Sequence, residues 1–395
     1  MTIFKTEFSK IISKKYIWIF VLILAAFYVF VSAGNYGSIS VVYSNALKTV
    51  YDDINEAAYN PVLRKLIIAK DYNINIDEIK PFLSSNIVSA VEKYNNKTYY
   101  RGGGQNVAEY LWDSEVKSKI VNLIKRNVKL EEEVTRLKSN TDNKLDNYLL
   151  KQYEIAPKIE ANMTSWNDWV DINKTMLPCL IAFVILLSLS GVYSDEYTSK
   201  MHGVLLTSKK GRKELFLGKL AASCLFSALC VLFFQLLSAI VFARTFGIPF
   251  TNTSLNSLTM FYMTPSTLSA LQYYLLQFLG SIFGAIVLTA VVLCISSFCK
   301  TALLSFFLSG TYFGVGFILS NALEGKITSS IITLPGELST FSVMSLYDIV
   351  GIGKVLCIFG QCIPTAWITI IVQALILIAA LLLTYRFYSK KQVTA

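Results

Sequence analysis

The chain of 395 residues is 54% hydrophobic and only 16% charged, and its mean hydropathy is +0.50. A soluble domain carries about 25% charged residues, so this composition excludes an ordinary water-soluble protein. The formal net charge is +10, but residues 35–175 hold 19 acidic and 19 basic residues, so the excess positive charge lies elsewhere in the chain. The sequence therefore predicts a membrane protein with one water-facing domain.

Residues 1–15 predict an amphipathic helix on the cytosolic membrane surface. Phe4, Phe8, Ile11 and Ile12 recur at helical spacing, and lysines occupy other positions. A basic flank that only fixes topology would produce the same pattern, and the sequence does not choose between the two.

Six stretches are long and apolar enough to cross a bilayer, whose hydrocarbon core needs roughly 20 apolar residues in a helix. They are residues 16–34, 176–193, 218–243, 271–298, 301–321 and 366–385. The first lacks a small-residue cleavage pattern, so we interpret it as a retained anchor rather than a signal peptide. The predicted fold class is all-α: a polytopic membrane protein with six transmembrane helices.

Residues 35–175, between spans one and two, predict a helical extracellular domain. Ile120, Leu123 and Ile124 belong to one apolar stripe at helical spacing. The domain contains no cysteine, so no disulfide bond stabilises it. Cys357 and Cys362, later in the chain, could pair, and the sequence leaves this open.

The distribution of lysine and arginine predicts that both termini are cytosolic, because these residues concentrate on the inner side of a membrane. The basic residues that this orientation places inside are Lys5, Lys10, Lys14, Lys15, Lys200, Lys209, Lys210, Arg212, Lys213, Lys219, Lys300, Arg386, Lys390 and Lys391. The same orientation places residues 35–175 outside.

The cytosolic segment 195–219 predicts a docking surface for a soluble protein. Its middle is apolar at Val204, Leu205 and Leu206, and a helix with an apolar face turned to the cytosol suits such a surface. Arg212 and Lys213 flank it and could pair with acids on a partner. Attachment of the leucines to the inner leaflet is the alternative.

The sequence holds no pattern of catalytic or metal-binding residues. His202 is the only histidine, so no histidine pair or triad forms, and no P-loop sequence occurs. The predicted spans lack the central ionisable residues that ion-driven carriers use for coupling. We therefore expect that the chain is not an enzyme and that it binds no cofactor or metal of its own.

Polar and small residues within the spans have two interpretations. Six polar residues are candidates for a translocation path, although such groups more often form interhelical hydrogen bonds: Gln235, Gln277, Thr289, Ser305, Ser309 and Asn321. The motifs Gly280-x-x-x-Gly284 and Gly310-x-x-x-Gly314 permit close helix packing, either within one chain or against a second copy.

A series of short motifs in the membrane portion carries a family resemblance. They are Phe4, Glu7, Phe8 and Lys10 before the first span, then Glu196, Gly203, Leu205, Leu206, Arg212, Gly218 and Lys219, and last the span from Pro364 to Tyr388 with its basic tail. Together they resemble the permease subunit of a type 2 ATP-binding-cassette (ABC) exporter, in the bacterial branch with a large extracellular domain. Tyr197 departs from the family pattern, which often has arginine or lysine there.

The resemblance implies a mechanism and partners. Two permease chains, identical or paralogous, would pair, and each would dock on a separate ATPase subunit that binds ATP and Mg²⁺. The residues assigned to ATPase coupling are Asp195, Glu196, Gly203, Val204, Leu205, Leu206, Arg212 and Lys213. The five spans within 176–395 would move a peptide, an antibiotic, a lipid or an ion outward across the bacterial cell membrane, with short re-entrant helices at 322–364.

Two other functions remain open from the sequence. A non-transporting ABC subunit would transmit ATPase-driven motion to an extracellular partner, or sense such a partner, through residues 35–175. A receptor or scaffold would need no ATPase. The basic residues face anionic lipid and cytosolic partners, so nucleic acid is not an expected partner.

The predicted topology has a direct test by cysteine labelling. In a cysteine-free background, we expect an impermeant thiol reagent to label Ser139→Cys on intact cells and to label Ser208→Cys only after the cells are opened. Labelling of Ser208→Cys but not of Ser139→Cys on intact cells would reverse the orientation.

Overall fold

The computed structural model describes residues 2–36, 50–95, 98–99, 105–140, 144–160, 164–198, 211–246, 253–261, 264–322, 330–350, 355–358 and 361–390. Six of its helices are long and apolar enough to cross a membrane. This confirms the all-α polytopic fold.

The helices of the described residues follow in chain order. They are α1 Thr2–Ile12, α2 Lys15–Tyr36, α3 Tyr51–Tyr59, α4 Pro61–Ala69, α5 Ile76–Ile79, α6 Ser85–Glu92, α7 Val107–Tyr110, α8 Ser118–Ser139, α9 Lys144–Ile155, α10 Thr164–Leu189, α11 Gly191–Thr198, α12 Gly211–Phe246, α13 Ala270–Phe298, α14 Ala302–Ala322, α15 Ser330–Glu337, α16 Thr340–Ser345, α17 Tyr347–Val350 and α18 Thr365–Lys390. A π-helical turn at Leu111–Lys117 joins α7 to α8, and 3₁₀ turns lie at Lys80–Phe82 and Leu255–Ser257.

The six spans are α2, α10, α12, α13, α14 and α18. The connection between α13 and α14 is a short turn that contains Lys300. The second span differs from its predicted start at residue 176, because α10 begins at Thr164 and runs unbroken into the membrane portion. Trp166 and Trp169, in the early turns of α10, pack against Phe242 of α12 and fix this extension.

Residues 50–160 form a helical domain, called here the insertion domain. Its core contains Ile54, Leu63, Ile87 and Ile120, which are fully buried and come from four different helices. The local sequence specifies the helix boundaries: the Asn60 side chain accepts hydrogen bonds from the first backbone N–H groups of α4, and a proline follows at the first helical position. The domain therefore has an apolar core of its own, separate from that of the spans.

The insertion domain is attached to the loop between the third and fourth spans. Arg126 Nη2 donates to Thr259 Oγ1 (2.8 Å), and Arg126 Nη1 donates to the Ser257 carbonyl (3.3 Å). From the loop side, Asn256 Nδ2 donates a short hydrogen bond to the Pro157 carbonyl (2.5 Å). These bonds place α8 against the ends of the spans.

Three short helices, α15 to α17, precede the last span. Their central helix α16 packs on the glycine face of α13, where a Cβ on Gly280 would lie 2.7 Å from the Val343 carbonyl oxygen and one on Gly284 would lie 2.5 Å from Met344 Cγ. The glycines are therefore needed for this close approach within one chain.

Two small antiparallel hairpins, which the sequence reasoning did not predict, complete the fold. Strand β1 (Thr98–Tyr99) pairs with β2 (Gln105–Asn106), and β3 (Val355–Ile358) pairs with β4 (Gln361–Pro364). Cys362 is disulfide-bonded, and the residue opposite it in the β3–β4 ladder is Cys357. Helix α9 of the insertion domain contacts both strands of this second hairpin.

The glycine packing gives a paired stability test. Gly280→Ala places a methyl group against a backbone carbonyl that cannot rotate away, so we expect a loss of about 1–3 kcal/mol in unfolding free energy. Gly310→Ala is the matched control, since a Cβ there meets no described atom within 4 Å. Thermal unfolding in detergent should show a lower Tm for the first variant alone, and equal Tm values would contradict the packing.

Candidate functional site

The N-terminal helix α1 lies against the start of the third span, α12. A Cβ on Gly218 would lie 2.9 Å from Ile3 Cγ2, so glycine allows the two helices to touch. The rings of Phe4 and Phe8 stack with centroids 5.9 Å apart and pack on the core of the spans. The amphipathic helix thus packs on the protein itself, and Glu7 on the same helix is only 6% exposed.

Lys219 of α12 is the centre of a buried charge cluster, called here the Lys219 hub. Its side chain is 1% exposed. Its Nζ donates to Glu196 Oε1 (2.5 Å) and to the Val192 carbonyl (2.8 Å), and it lies 3.7 Å from Glu7 Oε2. The hub therefore joins three helices, α1, α11 and α12, through one ammonium group.

A second ring of contacts surrounds the hub. Lys10 Nζ lies 2.5 Å from Glu7 Oε1, and Lys219 Nζ lies 4.9 Å from the centre of the Tyr193 ring. Lys14 Nζ lies 3.3 Å from Asp195 Oδ2 and forms another link from the N-terminal segment to α11. Because buried charges are costly unless they are paired, these contacts hold the three helices in one arrangement.

Helix α11 is separated from the second span by a break at Ser190, and the fourth span holds it in place. Ser296 Oγ accepts hydrogen bonds from the backbone N–H groups of Tyr193 (3.2 Å) and Ser194 (3.3 Å) and donates to the Ser190 carbonyl (2.7 Å). A displacement of α11 would therefore act on the fourth span as well as on the hub.

The structure places only some of the predicted coupling residues. Asp195 and Glu196 lie at the hub, and Lys213 is exposed on the first turn of α12. Arg212 is on the same turn, but its side chain is not among the groups that the structure describes. Gly203, Val204, Leu205 and Leu206 lie outside the described residues, so their coupling role stays a prediction.

The polar residues proposed for a translocation path include two buried glutamines. Gln277 Nε2 donates to the Ser345 carbonyl (3.2 Å), and Gln235 Nε2 donates to Ser281 Oγ (3.4 Å). Within the described part of the chain, Oε1 of each glutamine has no hydrogen-bond partner. Both amides therefore bond neighbouring elements and keep one acceptor available.

The remaining candidates in the spans bond mostly to nearby groups. Thr289 Oγ1 lies 2.6 Å from Ser227 Oγ of the third span. Ser309 Oγ donates to the Ser305 carbonyl (2.5 Å), and Asn321 Nδ2 donates to a carbonyl one turn earlier (2.9 Å). Of the six candidates, only Ser305 and Ser309 bond each other in the described residues, and they do so within one helix. Gly310 and Gly314 have open space around them, unlike Gly280 and Gly284.

Sequence reasoning missed the central role of Lys219 and Glu7. Glu7 and Lys219 both belong to the short motifs of the membrane portion, but those motifs predict no contact between them. The available signal was a lysine that interrupts the apolar run from Leu217 to Leu220. Such a lysine at a span edge requires an acid nearby, and only the fold shows which acids are close.

Six apolar spans, an amphipathic N-terminal helix packed on them and a large domain inserted after the first span define a polytopic membrane protein. The sequence model of the ABC-2 family transporter proteins matches residues 1–393. The chain therefore belongs to this family, as a permease subunit of an ABC transporter, a class that works with an ATPase. A comparison with curated protein sequences gives no significant match.

The hub makes a prediction about stability. Lys219→Met removes the cation that the buried Glu7 shares with the partly buried Glu196, so we expect a loss of about 3–5 kcal/mol in unfolding free energy. Lys213→Met, on the exposed first turn of the same helix, is the matched control and should change Tm little. Adding Glu7→Gln and Glu196→Gln to Lys219→Met should recover much of the loss. If Lys219→Met and Lys213→Met had equal Tm values, the ion pairs would have no role in folding.

Proposed function

We propose that this chain is the permease of an ABC exporter and that it acts as a dimer with separate ATPase subunits. In this proposal, residues 195–219 bind the ATPase and transmit its conformational change to the spans. The Lys219 hub is the observation that carries this proposal. It lies where residues 199–210 leave α11 and return to α12, so both ends of that segment are joined through one side chain. Hydrolysis of ATP belongs to the partner subunit, with Mg²⁺ bound there.

The contacts supply a route for motion into the membrane. A push on residues 199–210 acts on α11 and on the start of α12. Glu196 passes it to Lys219, and Ser296 passes it to the fourth span. Because α1 is bound to the same lysine through Glu7, the N-terminal helix moves with the two spans rather than sliding on the membrane surface.

Two independent features support a cytosolic location for the hub and an extracellular location for the insertion domain. The excess of lysine and arginine lies on the side of α1 and the α13–α14 turn, which favours the cytosolic side. The disulfide-bonded Cys362 lies on the opposite side, and disulfide bonds persist in oxidising compartments outside the cytosol. Cys179, Cys224, Cys230, Cys294 and Cys299 are free.

A second function, transmission of ATPase-driven motion to an extracellular partner without solute transport, is favoured by another observation. The polar groups of the spans mainly bond one another or the short helix α16, as Gln277 does with Ser345. The insertion domain is also bonded directly to the span loops, through Arg126 and Thr259. Movement of the spans would therefore be passed to that domain. ATP-dependent uptake by inside-out vesicles, measured for a peptide, an antibiotic and a lipid probe, separates this function from export.

The coupling proposal predicts loss of ATPase association in two variants. For Leu205→Ser with Leu206→Ser, burial of two leucines at an interface contributes roughly 3–5 kcal/mol, so affinity should fall by about two to three decades. Glu196→Ala should weaken the response of hydrolysis to the permease, because α11 loses its ion pair with Lys219 and keeps only the bond from its Val192 carbonyl. Copurification with the co-expressed ATPase and its hydrolysis rate are the measurements.

The control is the same chemical change on the insertion domain. Val62 and Ile68 are 61% and 40% exposed there, so Val62→Ser with Ile68→Ser should leave association unchanged. Normal association and normal hydrolysis in the Leu205→Ser, Leu206→Ser variant, at normal expression, would show that the segment is a passive linker.

A further inference from the structure

The contact between the insertion domain and the start of the second span is called here the joint. On one side lie the π-helical turn Leu111–Lys117 and the first turns of α8, and on the other lie the first turns of α10 and the loop that contains Thr259. Asn167 Oδ1 of α10 accepts from the Thr259 backbone N–H (2.7 Å), and Arg126 Nη2 of α8 donates to Thr259 Oγ1 (2.8 Å). The joint therefore links the insertion domain directly to the second span.

One lysine serves two carboxyl groups in the joint. Lys119 Nζ lies 3.5 Å from Glu115 Oε2, and the two side chains are only 14% and 4% exposed. The Lys119 ammonium also acts on the Asp168 carboxyl of α10, and Asp168 in turn acts on Glu115. These three groups form one cluster that spans the joint and holds one more acid than base.

Asp168 is the member of this cluster that lacks a bonded partner. It is partly buried, and its side chain forms neither a hydrogen bond nor an ion pair within the described residues. Asp171, the next acid on α10, is 58% exposed and pairs with Lys174 (Nζ–Oδ1 3.3 Å), so Lys174 compensates Asp171 instead. A carboxylate that loses water without gaining a donor is costly. The position of Asp168 therefore disfavours its ionised form.

Glu115 is disfavoured as an anion for a related reason. Burial raises the pKa of its carboxyl group, the Lys119 ammonium opposes this, and the negative charge of Asp168 raises the pKa again. Because the two carboxyl groups repel each other and share one cation, they titrate as a pair rather than as separate sites. Uptake of one proton by the pair leaves one carboxylate for one ammonium and removes the repulsion.

The other charged groups around the pair do not remove its excess negative charge. Arg126 is bonded to the span loop, and Glu160, which lines the same cavity, adds a negative charge. Because Asp168 is only partly buried, water reaches one member of the pair directly. The titratable and charged groups that face the pair are Lys119, Asp171, Lys174, Glu160, Arg126 and Tyr51, whose ring centre lies 5.2 Å from Lys119 Nζ.

We propose that the joint responds to external pH: uptake of one proton by the Glu115–Asp168 pair strengthens the attachment of the insertion domain to the second span, and loss of this proton weakens it. The proposed topology places the joint outside the cell, whereas the pH response itself is independent of orientation. The proton thereby sets how firmly movement of the second span is passed to the insertion domain.

The sign of the pH dependence follows from the direction of the shift. A carboxyl pair that holds a proton more tightly in the folded protein than in the unfolded chain stabilises the fold at acidic pH. This stabilisation is lost as the pH rises through the folded-state pKa of the pair. Substitution of one carboxyl group by its amide imitates the protonated pair at every pH, so its effect should appear only on the alkaline side.

The test compares Asp168→Asn with the wild type, both as full-length protein in nanodiscs of neutral lipid. At about pH 8 the variant should have the higher Tm, by about 1–3 °C, and at about pH 5 the difference should largely disappear. The difference between the two proteins at one pH is the decisive quantity, because the contributions of all other titrating groups cancel in it.

Hydrogen exchange shows whether the effect lies in the joint. At about pH 8, the backbone amides of residues 111–126 and 164–170 should exchange several-fold more slowly in Asp168→Asn than in the wild type, and at about pH 5 equally fast. Comparison at the same pH cancels the intrinsic exchange rate.

Asp77→Asn is the matched control, because it makes the same chemical change at a 71% exposed position of the insertion domain, away from the joint. It should keep the wild-type exchange of the joint at both pH values. Association with the ATPase should be normal in both variants, so failure of the coupling proposal would leave this result unchanged.

Two results would overturn the inference. One is a Tm of Asp168→Asn at about pH 8 that is equal to or below that of the wild type. The other is a difference in Tm and in exchange that is the same at both pH values. If Asp168→Asn does not fold, Glu115→Gln replaces it, because this variant also leaves one carboxylate for Lys119 and should show the same loss of pH dependence.

Discussion

A backbone carbonyl that is buried away from water has to accept a hydrogen bond from the protein itself, and this constraint governs how the short helix α16 is held. Helix α16 is short, so its last carbonyls are not bonded within the helix. Ser281 Oγ donates to the Met344 carbonyl (2.9 Å), and Gln277 Nε2 donates to the Ser345 carbonyl (3.2 Å). The glycines of α13 bring α16 close enough for these bonds. Gln277 and Ser281 of the fourth span therefore satisfy backbone carbonyls of α16.

The same lack of water shapes the opposite side of the molecule, where the problem is charge rather than a carbonyl. Lys219 is buried at the start of a span, and it is tolerated because an acid from α1, an acid from α11 and a backbone carbonyl surround it. Hydrophobic residues in place of the lysine and both acids together would pack without this cost. The cluster therefore specifies a particular arrangement of three helices, and a chain that couples to an ATPase needs such a defined linkage.

Hydropathy and charge distribution were sufficient to predict the six spans and the class of fold, because span length and composition are local properties. The periodicity of Ile120, Leu123 and Ile124 likewise predicted a helix, and all three are buried in α8. The partners of Lys219 were beyond this reasoning, since Glu196 is 23 residues away in sequence and Glu7 is much farther. The π-turn was also unpredictable, because no residue type marks the insertion of an extra residue into a helical turn.

The attachments of the insertion domain impose an order on the assembly of the protein. The domain follows the first span and has its own core, so it can fold while the later spans are still being made. Its contacts with Ser257 and Thr259, and those of α9 with the β3–β4 hairpin, involve segments synthesised much later. The hairpin ends at Pro364, and the last span begins at Thr365. The insertion domain therefore makes all of its contacts with the membrane portion only after the chain has been synthesised as far as the final span. These contacts thus form only when the preceding spans have been inserted.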